Sequence, residues 1–257
     1  MTAAPVNRDS EQVLWDRLRA HTRSRIGLGR AGDALDTAAV LDLSAAHAEA
    51  RDAVHSAVDV DAVVAGLREH VAEVPVVTSQ APDRSTYLRR PDLGRMPDDL
   101  GCLSRSRPEV AIVVSDGLSA RAVTDHAVPM VAALLAALPP DTTTEVVVAT
   151  QARVALGDHI ADALGADAVV VLIGERPGLS VADSLGAYLS YRPRPGMADS
   201  ERNCVSNIHP HGLSYRRAAD IVATLLAGAK VLGRSGVDLK DTSVEELISG
   251  EAAAELY

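Results

Sequence analysis

Three valine-rich runs dominate the second half of the chain: Val110 to Val114, Val146 to Ala149 and Val169 to Ile173. Runs this apolar, uninterrupted by charge, predict strands buried on both faces, as in a parallel sheet. Helical patterns lie between them at Ser119–Leu138, with a kink expected at Pro129, and at Gly157–Leu164. Ala187 to Tyr191 reads as a further strand. Ser214–Leu232 reads as a long helix with Ile221, Val222, Leu225 and Leu226 turned toward the sheet. Strands alternating with helices imply a sheet with helices packed on its faces.

The first part of the chain has a different pattern. As far as Glu73 it reads helical, beginning with Ser10 as a cap for a helix carrying Val13, Leu14, Trp15 and Leu18 on one face. Ser44 to Val58 is Ala-rich with few breakers. Asp59 or Asp61 starts another helix with Val63, Val64, Leu67 and Val71 at helical spacing. Val74 to Thr78 is a short apolar run interrupted by Pro75. The stretch that follows, up to Arg107, is loop-rich, with short helices expected at Thr86–Arg90 and Asp98–Leu103. The expected fold class is α/β. A smaller helical N-terminal domain with its connecting loops would occupy 1–105, and a parallel-sheet, Rossmann-like C-terminal domain 106–257.

Composition narrows the function. At 257 residues and 47% hydrophobic the chain can bury a sizeable core, but with no Phe, one Trp and five Tyr that core is aliphatic. Stacking platforms for bases are scarce, and a net charge of −10 argues against a phosphate-backbone partner. Two cysteines, Cys102 and Cys204, without CxxC spacing make no disulfide framework and point to a reducing compartment. No apolar run approaches the ~20 residues that span a bilayer, and MTAAPVNRDS lacks a secretory core. The expected location is cytoplasmic, with neither nucleic acid nor membrane as partner.

Several motifs carry candidate chemistry. The run Ala168 to Ile173 stops at Gly174-Glu175-Arg176-Pro177-Gly178, which places Glu175 and Arg176 at a strand's carboxyl end, where open parallel sheets gather ligands. The alternative is an ordinary strand-to-helix turn with a solvated ion pair. Gly27-Leu28-Gly29-Arg30-Ala31-Gly32 matches GxGxxG, but a helix rather than a strand precedes it, which favours a packing loop over a dinucleotide site. Asn207-Ile208-His209-Pro210-His211-Gly212 lies one residue from the DxHxxG of proteins that place a His on cobalt. Asn orients such a His less well than Asp, so His209 is not assigned as a ligand. A His-x-His zinc site would need a third ligand that is not evident. Cys204 lacks a fixed base and reads as a packed or ligand-lining thiol. No GxSxG elbow or Walker loop occurs. Arg84, Arg89, Arg90 and Arg95, interspersed with Asp83 and Asp92, suit a phosphate or carboxylate site, a salt-bridged surface loop or an interface rim.

Four segments, in order, resemble the small (light) subunit of ethanolamine ammonia-lyase. They are Arg25 to Gly32 (RIGLGRAG), Thr78 to Arg95 (TSQAPDRSTYLRRPDLGR), Val114 to Ala120 (VSDGLSA) and Ala168 to Pro210. The resemblance runs from about Trp15 to about Lys240. It implies an ammonia-lyase subunit (a carbon–nitrogen lyase) that uses adenosylcobalamin, with its cobalt, in ethanolamine degradation to acetaldehyde and ammonia. It also implies a hetero-oligomer. The substrate site and radical chemistry would lie on a large barrel-fold subunit, and the small subunit, inactive alone, would cover the corrin at the interface.

The family's cobalamin contacts fall on Val154, Glu175 and Cys204. No catalytic residue and no metal ligand is implied on this chain. The spacing from Glu175 to Cys204 is slightly shorter than the family pattern, which bears on the loop Arg192–Arg202 more than on the cysteine. The family often sits in a bacterial microcompartment, reached by a longer amphipathic N-terminal extension. Here only Met1 to Asp9 precede the expected first helix cap, which favours free cytosol. Two other readings remain at this point: an independent α/β nucleotide-binding oxidoreductase, and a purely structural interaction subunit.

Overall fold

A computed structural model describes residues 8–241. The segment before Arg8 and the tail from 242 onward, which the expected second domain includes, lie outside the described residues. The described residues begin within helix α1 (Arg8–Arg19), so Ser10 falls inside the helix rather than at its cap. Next come a small hairpin, β1 (Arg30–Ala31) and β2 (Ala34–Leu35), and two helices, α2 (Thr37–His55) and α3 (Val60–Leu67). Asp36 and Asp59 cap these helices by accepting the N–H of Ala39 at 2.8 Å and of Ala62 at 3.0 Å. Strand β3 (Val76–Thr78) and helix α4 (Arg84–Arg89) follow. The second half runs β4 (Val110–Ser115), α5 (Ala120–Ala137), β5 (Thr144–Thr150), α6 (Leu156–Leu164), β6 (Ala168–Gly174), β7 (Leu185–Tyr191), β8 (Asn203–Ile208) and α7 (Tyr215–Leu232). Helix α5 continues through Pro129, which removes one backbone donor from its interior. The stretch expected to be helical at Asp98–Leu103 forms turns instead.

The fold is α/β around a mixed six-stranded sheet in the order β3-β5-β4-β6-β7-β8. Strands β3, β5, β4 and β6 are parallel. The wholly parallel expectation is corrected on the other side, where β7 pairs antiparallel with β6 and β8 antiparallel with β7. A parallel return needs a crossover, usually a helix. The segments 175–184 and 192–202 contain no more than one 3-10 turn, Asp199–Glu201, so each doubles back directly. The edge strand β3 comes from the segment before Ser106.

The parity of the valine runs fixes the two layers. Val110, Ile112, Val114, Val170 and Leu172 face α3, α5 and α7. Ala111, Val113, Val169, Val171 and Ile173 face α6. Each buried Val, Leu or Ile contributes roughly 1.5–3 kcal/mol of hydrophobic free energy. Apolar residues on both faces explain why these runs show no alternation. Because α5 and α6 cover opposite faces, the chain leaves the carboxyl ends of the adjacent strands β4 and β5 in opposite directions. That divergence opens a crevice above them.

Candidate functional site

The crevice is a cleft of about 450 Å³ over the carboxyl ends of β4, β5 and β6. Its floor requires two glycines. Gly117 has φ +53°, and a Cβ there would strike Gly174 O and the Ile173 side chain. A Cβ on Gly174 would strike Ser119 O. Backbone therefore touches backbone where β4 and β6 end, and space remains above.

Asp116, just past β4, ties the floor to the β5–α6 turn. It accepts the N–H of Gln151 and of Ala152, both at 2.9 Å, and a guanidinium N–H of Arg84 at 3.2 Å. Burial pushes the Asp116 carboxyl up, while the Ala152 N–H, Arg84 and the Gln151 N–H pull it down. Arg84 also donates to Gly117 O and to Val54 O, both at 2.8 Å. The turn is held further by the Tyr87 hydroxyl and Ser115 Oγ, each 3.0 Å from Ala152 O, and by the Arg153 N–H, 2.8 Å from Gly94 O. Val154 projects into the cleft from this anchored turn.

The arginine-rich segment divides by residue. Arg84 is structural, Arg90 makes a two-pronged exposed pair with Asp92, and Arg95 reaches the cleft rim near Asp199 at 3.7 Å.

Glu175 lines the same cleft. Its Oε2 accepts from Ser184 Oγ at 2.6 Å and from the Asn207 N–H at 3.1 Å, so the charge has the partners its position demands. Among the described residues its Oε1 accepts no hydrogen bond. Asn207 stands at φ +61°, in an irregularity where β8 slips register against Leu185 and Ala187 of β7. A bulge of this kind re-aims a backbone group, here the N–H that holds Glu175.

Cys204 is on β8, a strand the sequence reading did not predict, directly across from Tyr188 of β7. Cys204 is exposed and borders the cleft through Tyr188, which lines it. Partial enclosure raises the Cys204 thiol; a hydrogen bond with Tyr188 lowers it, and the Glu175 carboxylate raises it again. The Tyr188 hydroxyl is held above its usual range, first by burial and then by Cys204. The thiol is thus no poised nucleophile. In a Cys102→Ser background, alkylation of Cys204 by iodoacetamide should titrate above the ordinary thiol value of about 8.5. Glu175→Gln should move that midpoint down, because it removes a negative charge that opposes the thiolate. A midpoint unmoved by the substitution would show that the carboxylate is not felt at sulfur.

The other motifs resolve into structure. Gly27 has φ +58°, and a Cβ there would enter the Trp15 ring, while Gly32 turns the β1–β2 hairpin. The GxGxxG is therefore preceded by a helix and followed by a hairpin, without the strand and helix N-terminus of a dinucleotide site. His209 is buried, with Nε2 3.0 Å from Asn207 Oδ1, and its enclosure lowers its pKa. Among the described residues no group of three or more His, Cys, Asp or Glu side chains is placed to hold a metal ion. Nor is any helix among them long and apolar enough to cross a membrane.

Sequence reasoning singled out Glu175 from its strand end, and the same signal was present at Asp116. It missed Tyr188 and Arg153, and it weighed Asn207 only beside His209 and not as the holder of Glu175, because these roles depend on strand pairing and on a turn held by distant residues.

These features define an α/β protein with a concave site at the carboxyl ends of its parallel strands. The family described as "Ethanolamine ammonia-lyase light chain (EutC)" matches residues 12–240. A Rhodococcus erythropolis protein named ethanolamine ammonia-lyase small subunit is 53% identical over 248 residues, 93% of this chain and 94% of the relative. One of the same name from Bradyrhizobium diazoefficiens is 52% identical over 236 residues, 89% and 90% of the two chains. Another, from Pseudomonas syringae pv. tomato, is 45% identical over 263 residues, 98% and 90%. The chain belongs to the ethanolamine ammonia-lyase small-subunit family, whose named members are subunits of a lyase.

Proposed function

We propose that this chain is the cobalamin-covering small subunit of an adenosylcobalamin-dependent ethanolamine ammonia-lyase, acting with a large subunit that carries the substrate site. The observation that carries this reading is the cleft itself. It collects Val154 and Glu175 from separate strand ends and reaches Cys204 through Tyr188. The chemistry of the walls suits a corrin, which is largely apolar with a fringe of amides. Val154, Leu118 and Ile173 offer apolar surface, and Glu175 Oε1 offers an acceptor for an amide N–H. At about 450 Å³ the cleft is smaller than a cobalamin with its nucleotide. It would hold one side of the group and leave the rest for the large subunit.

Bound adenosylcobalamin would supply the radical chemistry. The chain's own residues bind and orient. The anchored Gln151–Val154 turn fixes one wall, Glu175 holds an amide edge, and Tyr188 with Cys204 forms a flat shoulder. Burial at the subunit boundary would exclude water.

The test is reconstitution. The isolated chain, given adenosylcobalamin and ethanolamine, should produce no acetaldehyde. Adding the matching large subunit should start production. Sustained turnover by the chain alone, or none from the assembled pair, would contradict the assignment.

A further inference from the structure

We propose that Arg153 and Arg176 form an oxyanion subsite in the cleft that takes the phosphodiester of the nucleotide tail; this rests on the corrinoid reading above. The starting point is a mismatch of charge. Three charged groups other than these two, Arg95, Glu175 and Asp199, line the cleft or its rim, and each is engaged. Glu175 is held by Ser184 and Asn207, and Arg95 faces Asp199, which also accepts from Arg202 at 3.4 Å. Arg153 and Arg176 also line the cleft, yet among the described residues neither guanidinium makes an ion pair or a hydrogen bond. In a chain of net charge −10, two uncompensated guanidinium groups in one concavity call for an anionic ligand.

The two arginines are placed to act together. Arg153 follows β5 and Arg176 follows β6, and β4 lies between those strands. With about 4.8 Å between neighbouring strands, their backbones flank the β4 end at roughly 10 Å. Two long side chains can close on one tetrahedral anion across that gap.

Arg153 is also pre-set. Its guanidinium lies 4.4 Å from the centroid of buried Tyr87. A Cβ on Gly94 would come within 3.1 Å of Arg153 Cγ, so the side chain occupies a slot only glycine leaves open. Its Nε is buried without a partner. A guanidinium already stacked in place loses little freedom on binding, and its terminal nitrogens, which donate no hydrogen bond among the described residues, can give a charge-assisted bond. Arg176 is exposed and can swing in from the opposite side.

The test compares two corrinoids on the assembled complex of this chain with its large subunit. Cyanocobalamin carries the phosphodiester tail; dicyanocobinamide lacks it. Affinity is read from visible absorbance in equilibrium dialysis. The parent should prefer cyanocobalamin. Arg176→Met and Arg153→Met should each weaken cyanocobalamin by about ten- to a hundredfold and leave dicyanocobinamide unchanged. Arg153→Lys should retain part of the preference, since it keeps the charge and loses the fork. Arg176→Met carries the test if Arg153→Met disturbs Tyr87. Inorganic phosphate should compete with cyanocobalamin in the parent but not in Arg176→Met.

If both corrinoids weaken together, or neither changes, the subsite is wrong while the corrin reading stands. If inorganic phosphate binds the parent without affecting cyanocobalamin, the arginines serve a free anion and the assignment to the tail fails. If neither corrinoid binds the parent complex, the subsite and the reading beneath it fall together.

Discussion

Arg202→Met should lower the unfolding free energy by about 3–5 kcal/mol, the range found when one partner of a buried ion pair is removed. For a chain of this size that corresponds to a fall in Tm of roughly 6–20 °C. Arg202 and Asp158 are both buried, with side chains 2% and 0% exposed. The guanidinium donates to Asp158 Oδ1 at 2.6 Å and Oδ2 at 2.7 Å, to Ser190 Oγ at 2.8 Å and to Met197 O at 3.0 Å. Asp158 lies in the first turn of α6, where a negative charge is favoured.

Loss of the guanidinium would leave that carboxylate in the interior without its counter-ion, which is the source of the large effect. Replacing both residues by apolar ones, as in Arg202→Met with Asp158→Leu, should recover most of the loss. Thermal and urea unfolding followed by circular dichroism measure this. A single variant within about 1 kcal/mol of the parent would show that the pair does not hold the fold together. The consequence extends to the site, because Arg202 immediately precedes β8, while α6 follows the turn that carries Val154. The ion pair latches the Cys204 strand to the Val154 turn.

Glu175→Gln should reduce the affinity of the assembled complex for adenosylcobalamin by about ten- to more than a hundredfold, the equivalent of one charge-assisted hydrogen bond of roughly 1.5–3 kcal/mol. Folding should change by less than about 1 kcal/mol. The asymmetry follows from the two carboxylate oxygens. Oε2 serves the protein, accepting from Ser184 and Asn207, and the amide oxygen of Gln can take over that duty. Oε1 accepts nothing among the described residues. In Gln the corresponding atom is a donor, which cannot accept from an amide N–H of the ligand. A variant that assembles with the large subunit and binds adenosylcobalamin as tightly as the parent would reduce Glu175 to a turn residue.

Much of the sheet was legible because β4, β5 and β6 are buried on both faces and so read as unbroken valine runs. Three helices were legible from their starts at Asp59, Ser119 and Ser214, each of which caps its helix. Strand β8 was not legible. It is an edge strand with Asn203, Cys204, Ser206 and Asn207 turned away from the core, and only Val205 and Ile208 buried. Missing it left Cys204 without an assigned element and hid its pairing with Tyr188.

The site was legible only in part. Glu175 stands out because a charge ends an apolar run. Val154 has no such local signal, and it emerged from the family resemblance alone. The Asp158–Arg202 pair joins residues 44 positions apart, and nothing in either neighbourhood marks it. Arg153 carries no local signal either, since Tyr87 and Gly94, which clamp it, lie far away in sequence. Such groups gain their meaning from long-range packing, which periodicity does not encode.

The central claim is that this chain closes one side of a cobalamin site shared with a large subunit. The most direct measurement is the visible spectrum of adenosylcobalamin retained through gel filtration by the large subunit, with and without this chain. The account predicts a cobalamin spectrum that persists with the assembled complex, is weakened when the chain carries Glu175→Gln, and is lost from the large subunit alone. Equal retention by the large subunit without this chain, or an assembled complex that retains none, would contradict it.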